Sequence, residues 1–356
     1  MSRIAFIADV HIGNPTAFGG AVQCGFNERG RETIKALQDA VDATKDCDEL
    51  VICGDLFDTA NPSPQMVAEV MGALSKVKSV TLLLGNHDMI SDSVGDHALA
   101  PLRYLPNVTI HEAAGMFSLN GCSLLVVPFQ SGDCREWFES VVMGVDWDAS
   151  EEPTLMAFHL GVIDSRTPAF LANAHDAIPL DTLKATMSKA GIQHAFCGNW
   201  HNPARWGTIH QVGAICPTGW DNAGWDYGQI AVFDTELGTT LTRHIPGPRF
   251  LTAHTAEEVA IAQAEAKRRR CKLYLTLKGE AAKELDAVRD QGIHARAVSD
   301  TEGAREATRA AAVAVRKAST LDEALAKYVQ SMPLSEGLER ETVRSMAANY
   351  LAKGGA

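Results

Sequence analysis

The sequence lacks paired cysteines. Its eight (Cys24, Cys47, Cys53, Cys122, Cys134, Cys197, Cys216 and Cys271) are scattered with no CxxC pair. That spacing indicates neither a thiolate zinc site nor a disulfide framework. Cys53 and Cys197 fall inside apolar, strand-like runs and read as small buried thiols in a reducing compartment. No apolar run reaches the roughly 20 residues that a bilayer span needs. The opening MSRIAFIADVHIGN carries one arginine, and its apolar stretch is soon broken by Asp9 and His11. It does not read as a secretory leader, so a cytoplasmic protein with no membrane partner is expected. Positive charge is also short: 32 Lys and Arg against 44 Asp and Glu leave a formal charge of -12. A protein that grips nucleic acid alone usually shows a basic surface, because phosphate neutralisation supplies most of the affinity. The balance counts against an independent clamp on DNA or RNA. It leaves open an enzyme whose metals meet the phosphate, or one that shares the grip with a partner. There is no internal repeat and no low-complexity tract.

What is present is an alternation of strands and helices. Arg3 to Ala8 reads as a strand, and residues 28 to 45 as a helix with Ile34, Leu37 and Val41 on one face. LVIC (50 to 53) reads as a strand, residues 64 to 77 as a helix, and VTLLL (80 to 84) as another strand. This order implies parallel pairing, and near-continuous apolar strands imply a sheet covered on both faces. Residues 107 to 127 read as antiparallel strands, with Asn120-Gly121 as a hairpin turn. TLMAF (154 to 158) and HAFC (194 to 197) are further strands, separated by a helix at Leu180 to Lys189. Short strands follow from Ala204 to Thr242. The expected class is α/β, a two-layered β-sandwich flanked by helices, over residues 1 to 245. Ile245-Pro-Gly-Pro marks a linker. Beyond it Thr255 and Glu258 form a capping-box signature, and CKLYLTL (271 to 277) is a strand, so a small α+β unit is expected over 246 to 318. The remainder, 319 to 356, should hold two amphipathic helices split at Met332-Pro333, with Leu321, Leu325, Tyr328 and Val329 on one face. These helices pack on the body or dock onto another protein.

The chemistry gathers at strand ends. The first strand ends in Asp9-Val10-His11, the second in Gly54-Asp55-Leu56-Phe57-Asp58, and the third in Gly85-Asn86-His87-Asp88. TLMAF ends in His159, and HAFC in Gly198-Asn199-Trp200-His201. Ligands of open α/β sheets collect at the carboxyl ends of the strands, so these groups can converge. Strand ends bearing Asp, Asn and His together describe a metal centre of oxygen and imidazole donors, suited to manganese, iron, zinc or magnesium. Six or seven donors exceed the needs of one divalent ion, and two ions bridged by a carboxylate are the economical reading.

In this order the motifs resemble the calcineurin-like metallophosphoesterase superfamily, with its D-x-H, G-D-x-x-D, G-N-H-[DE], lone His and G-H-x-H. The resemblance covers residues 1 to about 235. It implies that Asp9, His11 and His201 hold one metal, that Asn86 and His159 hold the other, and that Asp55 bridges them. The ions would bind phosphate oxygens and activate a bridging water for in-line attack. His87 would protonate or stabilise the leaving oxygen with Asp58 orienting it, and Asp88 would support the site from behind. In one departure, Asn199 stands where the family has a second-metal histidine. A neutral amide oxygen suits a hard ion, which predicts a weaker second site selective for Mn2+ or Mg2+. The rival reading is an inactivating change. The length, the small α+β unit and the helical C-terminus further resemble the SbcD family of DNA-end-processing nucleases, above all the recombination exonuclease subunit of large tailed phages. The supporting stretches are LRYLPNVTIHE (102 to 112), GCSLLVVPF (121 to 129), CPTGWDN (216 to 222) and LDEALAKYVQSMP (321 to 333). That resemblance implies a DNA exonuclease or endonuclease subunit acting on duplex ends. Its C-terminal helices would bind an SbcC-type ABC ATPase, as a homodimer within a heterotetramer, in the host cytoplasm if phage-encoded. Lys267, Arg268, Arg269, Arg270 and Lys272, with Arg166, are the candidate DNA contacts. Two alternatives stay open: a small-substrate phosphodiesterase acting on nucleotides, and a DNA-end-binding subunit silenced by Asn199.

Overall fold

The computed structural model describes residues 2–298, apart from 94, 120, 146–151, 169–170 and 221, together with 340, 342, 344 and 345. Of the C-terminal helices expected from Thr320 to Lys353, only Arg340, Thr342, Arg344 and Ser345 are described, and these are helical. The rest of that expectation lies outside the described residues.

Two six-stranded sheets face each other. The first runs Thr239–His244, Gln229–Asp234, Arg3–Ile7, Glu49–Ile52, Val80–Leu83, Val108–His111. Its last four strands are parallel, and Gln229–Asp234 joins them antiparallel. The second runs Ala204–Trp206, Ile209–Gln211, His194–Gly198, Thr154–His159, Cys122–Val127, Gly115–Leu119, parallel at its centre and antiparallel at both edges. The expected run of antiparallel strands over 107 to 127 is therefore half corrected. Gly115–Leu119 and Cys122–Val127 do form a hairpin, whereas Val108–His111 belongs to the other sheet, parallel to Val80–Leu83.

Side-chain alternation explains the layers. Along the first strand Ile4 and Phe6 enter the space between the sheets, where Phe6 stacks on Phe196 with ring centroids 3.7 Å apart. Ala5 and Ile7 point the other way, into a cluster with Ile34, Leu37 and Val41 of the helix Glu28–Ala43 and with Val70 and Leu74 of the helix Pro64–Leu74. The second sheet is covered likewise by Phe138 of Cys134–Gly144 and by Leu183 and Met187 of Leu180–Lys189. Strands covered on both faces are largely apolar, and Glu49–Ile52 and Val80–Leu83 are buried at every position, their two polar members meeting where Thr81 Oγ1 donates to Glu49 at 2.7 Å. Asn27 starts the helix Glu28–Ala43 by accepting from Gly30 N at 2.7 Å, and Ser63 starts Pro64–Leu74 with proline in the first turn.

Two histidines are caught in this packing. His111 lies 3.9 Å from the Phe117 ring and His210 stacks on Phe196, and burial lowers both to about 4. Below the unfolded value near 6.5 the unfolded chain binds protons that the folded chain refuses. Each histidine therefore contributes about 3 kcal/mol that is present above that pH and lost as pH falls through 4. Replacing His210 with the non-titrating Gln should flatten the pH dependence of the urea midpoint between these values by about one proton, or 1.4 kcal/mol per pH unit. An unchanged slope would contradict the assignment.

After the second sheet comes a parallel three-stranded sheet of Arg249–Ala253, Leu273–Leu277 and His294–Ala297, crossed over by the helices Ala256–Arg269 and Leu285–Asp290. It has its own apolar cluster around Val259, Leu275, Leu277 and Val288. Thr255 caps Ala256–Arg269 by accepting from Glu258 N at 3.2 Å, while Glu258 accepts from His254 N rather than from the cap residue. The unit meets the body through Arg29. This fully buried guanidinium lies 4.8 Å from the Phe250 ring and 4.9 Å from the Tyr274 ring.

Candidate metal centre

Asp9, His11, Asp55, Asn86 and His87 follow three adjacent parallel strands of the first sheet; His159 ends one strand of the second and Asn199 follows its parallel neighbour. Parallel register brings all these ends to one edge of the sandwich. The backbone there is unusual: Asp9, His11, Asp55 and Asn199 have φ of 49°, 48°, 53° and 82°. Left-handed conformations of non-glycine residues cost on the order of 1 to 3 kcal/mol each and persist only where neighbours hold them. Here the loops hold one another, through Asp9 N to Gly54 O at 3.2 Å, His11 N to Asp55 O at 3.0 Å and Asn199 N to Asp9 Oδ1 at 2.9 Å. Gly54, at φ 86°, leaves room for a ligand, since a Cβ there would lie 2.1 Å from His159 Nδ1. Gly54→Ala should cost roughly 1 to 3 kcal/mol and displace His159. A thermal melt together with metal content would show both effects, and normal metal content would refute the displacement.

The donor atoms fall into three overlapping sets, Asp9 with His11 and His201, Asp9 with Asp55 and His159, and His11 with Asp58 and His87. Within each set the atoms lie within 4.8 Å of one another. Asp55 Oδ2 sits between two imidazoles, 3.6 Å from His11 Nε2 and 3.3 Å from His159 Nε2. Asn86 Oδ1 is 3.2 Å from the same His159 nitrogen. His159 Nδ1 donates to the Cys53 carbonyl at 2.6 Å, which turns Nε2 toward two oxygens and makes it the nitrogen that would exchange its proton for a metal. His201 is held in the same way, Nδ1 donating to Asn222 Oδ1 at 3.2 Å. Asp9 Oδ2 and His11 Nε2 are buried without a hydrogen-bond partner. Buried lone pairs that converge without a donor are costly unless a cation satisfies them, so this set of donors fits divalent metal ions. Charge follows the same pattern. Burial alone would push the His159 imidazole down, but the Asp55 carboxylate raises it to about 9. Burial would push Asp55 up, yet the neighbouring histidines hold it well below the usual carboxylate range.

Asp58 reaches His87 through its backbone and not through its carboxylate. The Asp58 carboxylate does not orient His87. It turns to His11 Nδ1 at 3.3 Å, and the Asp58 backbone carbonyl accepts from His87 Nδ1 at 2.8 Å. Asp88 is fully buried behind the loops. It accepts from Gly85 N at 3.1 Å and Phe57 N at 3.0 Å, tying the second and third motifs together. Burial, with Asp55 nearby, raises it to about 7. His87 is the exposed member of the cluster, its backbone N donating to Asp55 Oδ1 at 2.9 Å. The supporting partners Cys53, Asn222 and Asp176 were not singled out from the motifs. Cys53 acts through its backbone, which no side-chain pattern reports, and Asn222 lies within CPTGWDN without any metal-motif spacing.

The candidate DNA contacts are largely engaged with neighbouring groups. Arg166 pairs with Asp164 at 2.6 Å and lies over Trp206. Arg268 and Arg269 both pair with Glu265 at 2.5 Å. Arg270 caps its helix in a left-handed conformation, and Lys272 pairs with Glu28 and Glu32. Lys267 stands in the last turn of the same helix. Beside the metal cluster a cavity of about 340 Å³ is lined by Met89, Asp92, Asp96, His97, Glu112 and Phe129 among others. Its acidic lining does not suit a phosphate.

The model of the calcineurin-like phosphoesterase family matches residues 2–203, more than half of the 356 residues, and the chain belongs to that family. It is a metal-dependent phosphoesterase with the family's two mixed sheets flanked by helices. No curated protein matches the chain. Among solved structures it is similar to TT1561 of Thermus thermophilus, at 11% identity and TM-score 0.43 over 68% of this chain and 98% of that one. It is also similar to a putative 5'-nucleotidase from Staphylococcus aureus in complex with alpha-ketoglutarate, at 16% identity and TM-score 0.39 over 68% of this chain and 53% of that one. No helix among the described residues is long and apolar enough to cross a membrane.

Proposed function

We propose that this phosphoesterase is a two-metal DNA nuclease, the nuclease subunit of an SbcC/SbcD-type recombination and repair complex. The observation that carries a phosphodiesterase is the placement of exposed His87 beside buried Asp55, between the two imidazoles of His11 and His159. DNA as the substrate is supported by the looser sequence resemblance and by the compact unit after residue 245. In this reading Asp9, His11 and His201 would hold one ion, Asn86, His159 and Asn199 the other, and Asp55 would serve both. When bound, two divalent ions, most simply Mn2+, supply Lewis acidity toward the phosphoryl oxygens and lower the pKa of water. The chain does the rest. Asp88 keeps the motif loops in register, and the Asp58 carbonyl orients His87 so that its Nε2 faces outward toward the leaving oxygen. An acidic chain is compatible with DNA if an ABC ATPase shares the grip, through C-terminal helices on a dimer of this subunit. The division at about 245 and 318 and a cytoplasmic setting complete the reading.

The silenced-subunit reading is favoured by one observation, the amide at position 199. Manganese-dependent digestion of end-labelled linear duplex DNA decides between the two. Digestion by the unaltered chain supports the nuclease. Digestion by Asn199→His alone would mean a silenced one, and cleavage of nucleotides in preference to duplex would point to the small-substrate enzyme. In an active enzyme Asn199→His should tighten the second site for zinc on the order of tenfold, read by metal competition.

A further inference from the structure

The Asn199 amide is held by a residue outside every motif. Its Nδ2 donates to the Asp176 backbone carbonyl at 2.8 Å and to Asp176 Oδ2 at 3.0 Å. Two acceptors on that side fix which end of the amide is which, because an oxygen turned there would meet two oxygens. The Asp176 carbonyl is itself anchored. It accepts from Gly161 N at 3.0 Å, where the strands Gly161–Ile163 and Ala177–Pro179 pair in parallel. The Trp200 indole packs on this corner, where a Cβ on Gly161 would come within 2.3 Å of it. On its other side the Asn199 backbone N donates to Oδ1 of Asp9, a member of the metal cluster.

We propose that Asp176 is a positioning residue that makes Asn199 a working metal ligand. By taking both amide hydrogens it leaves Oδ1 as the lone-pair atom of the side chain, available to the second divalent ion. Two hydrogen bonds given away by the nitrogen also polarise the amide and make its oxygen a better donor. The second site thereby gains a neutral, hard oxygen in place of imidazole and selects Mn2+ or Mg2+ over zinc. The proposal rests on the two-ion reading above.

The test is titration of the full chain with Mn2+, by calorimetry and by electron paramagnetic resonance, for the unaltered protein, Asp176→Ala and Asp176→Asn. The unaltered chain should bind two ions. Asp176→Ala should weaken the second by about 10 to 100-fold and spare the first, the usual cost of losing a partner that orients a ligand. Asp176→Asn keeps an oxygen acceptor without the charge and should stay close to the unaltered affinity. Two ions bound with unchanged affinity in Asp176→Ala overturns the proposal. Equal weakening in Asp176→Asn also overturns it, since charge and not orientation would then be the cause. Fewer than two ions on the unaltered chain removes the two-ion reading itself, a separate and distinguishable failure.

Discussion

Asp55→Asn should leave a folded protein that holds at most one metal ion and has lost phosphodiesterase activity by roughly a thousandfold or more, about 4 kcal/mol of transition-state stabilisation. The two oxygens of Asp55 have different tasks: Oδ1 accepts from His87 N at 2.9 Å, and Oδ2 lies between His11 Nε2 and His159 Nε2. An amide cannot do both. If its NH2 faces His87, donor meets donor and the third motif loop is pushed away; if it faces the imidazoles, hydrogens occupy the place of a bridging lone pair. Folding should survive, because the loops stay tied by backbone bonds from Asp9 N to Gly54 O and His11 N to Asp55 O and by the Asp88 carboxylate. Metal content per chain and the rate on a phosphodiester are the two readouts. A variant that kept both ions and a tenth of the activity would show that Asp55 does not bridge.

The residues of this centre were legible from the sequence because three local signals coincide. Each apolar run is short enough to be a strand, each ends at or near a glycine or a left-handed position, and the polar residues that follow are metal donors. Parallel pairing then does the assembly, since it puts every carboxyl end on one side. The second layer of partners was not legible. His159 and the carbonyl that fixes it are 106 residues apart, and the Asn199 and His201 partners are 23 and 21 residues away, with no repeating spacing. The misplaced strand Val108–His111 has a similar cause. Asn120-Gly121 is a local signal for a hairpin, whereas the pairing of Val108 with Val80 depends on which sheet has an open edge. The basic run near residue 270 carries a second local signal beside its charge. Clustered Lys and Arg suggest phosphate, yet Glu265, three and four positions before Arg268 and Arg269, already supplied the ordinary helical counter-charge.

If the proposed nuclease reading holds, His87→Ala should lower kcat on DNA by about 10² to 10⁴-fold, the usual contribution of a positioned general acid, while leaving metal content intact. The side chain is not part of the buried donor set around Asp9, Asp55 and His159, and its Nδ1 is spent on the Asp58 carbonyl. Nε2 is the nitrogen left to meet substrate, and a group that only delivers a proton to the leaving oxygen acts late and binds little. KM should therefore change far less than kcat. The loss should also depend on the leaving group. A nitrophenyl ester expels an anion that needs no proton, so the same variant should lose much less on that substrate than on DNA, whose alkoxide does. Equal losses on both esters would mean that His87 works by holding the phosphate rather than by protonating the leaving group, and the role assigned to it here would pass from general acid to electrostatic clamp.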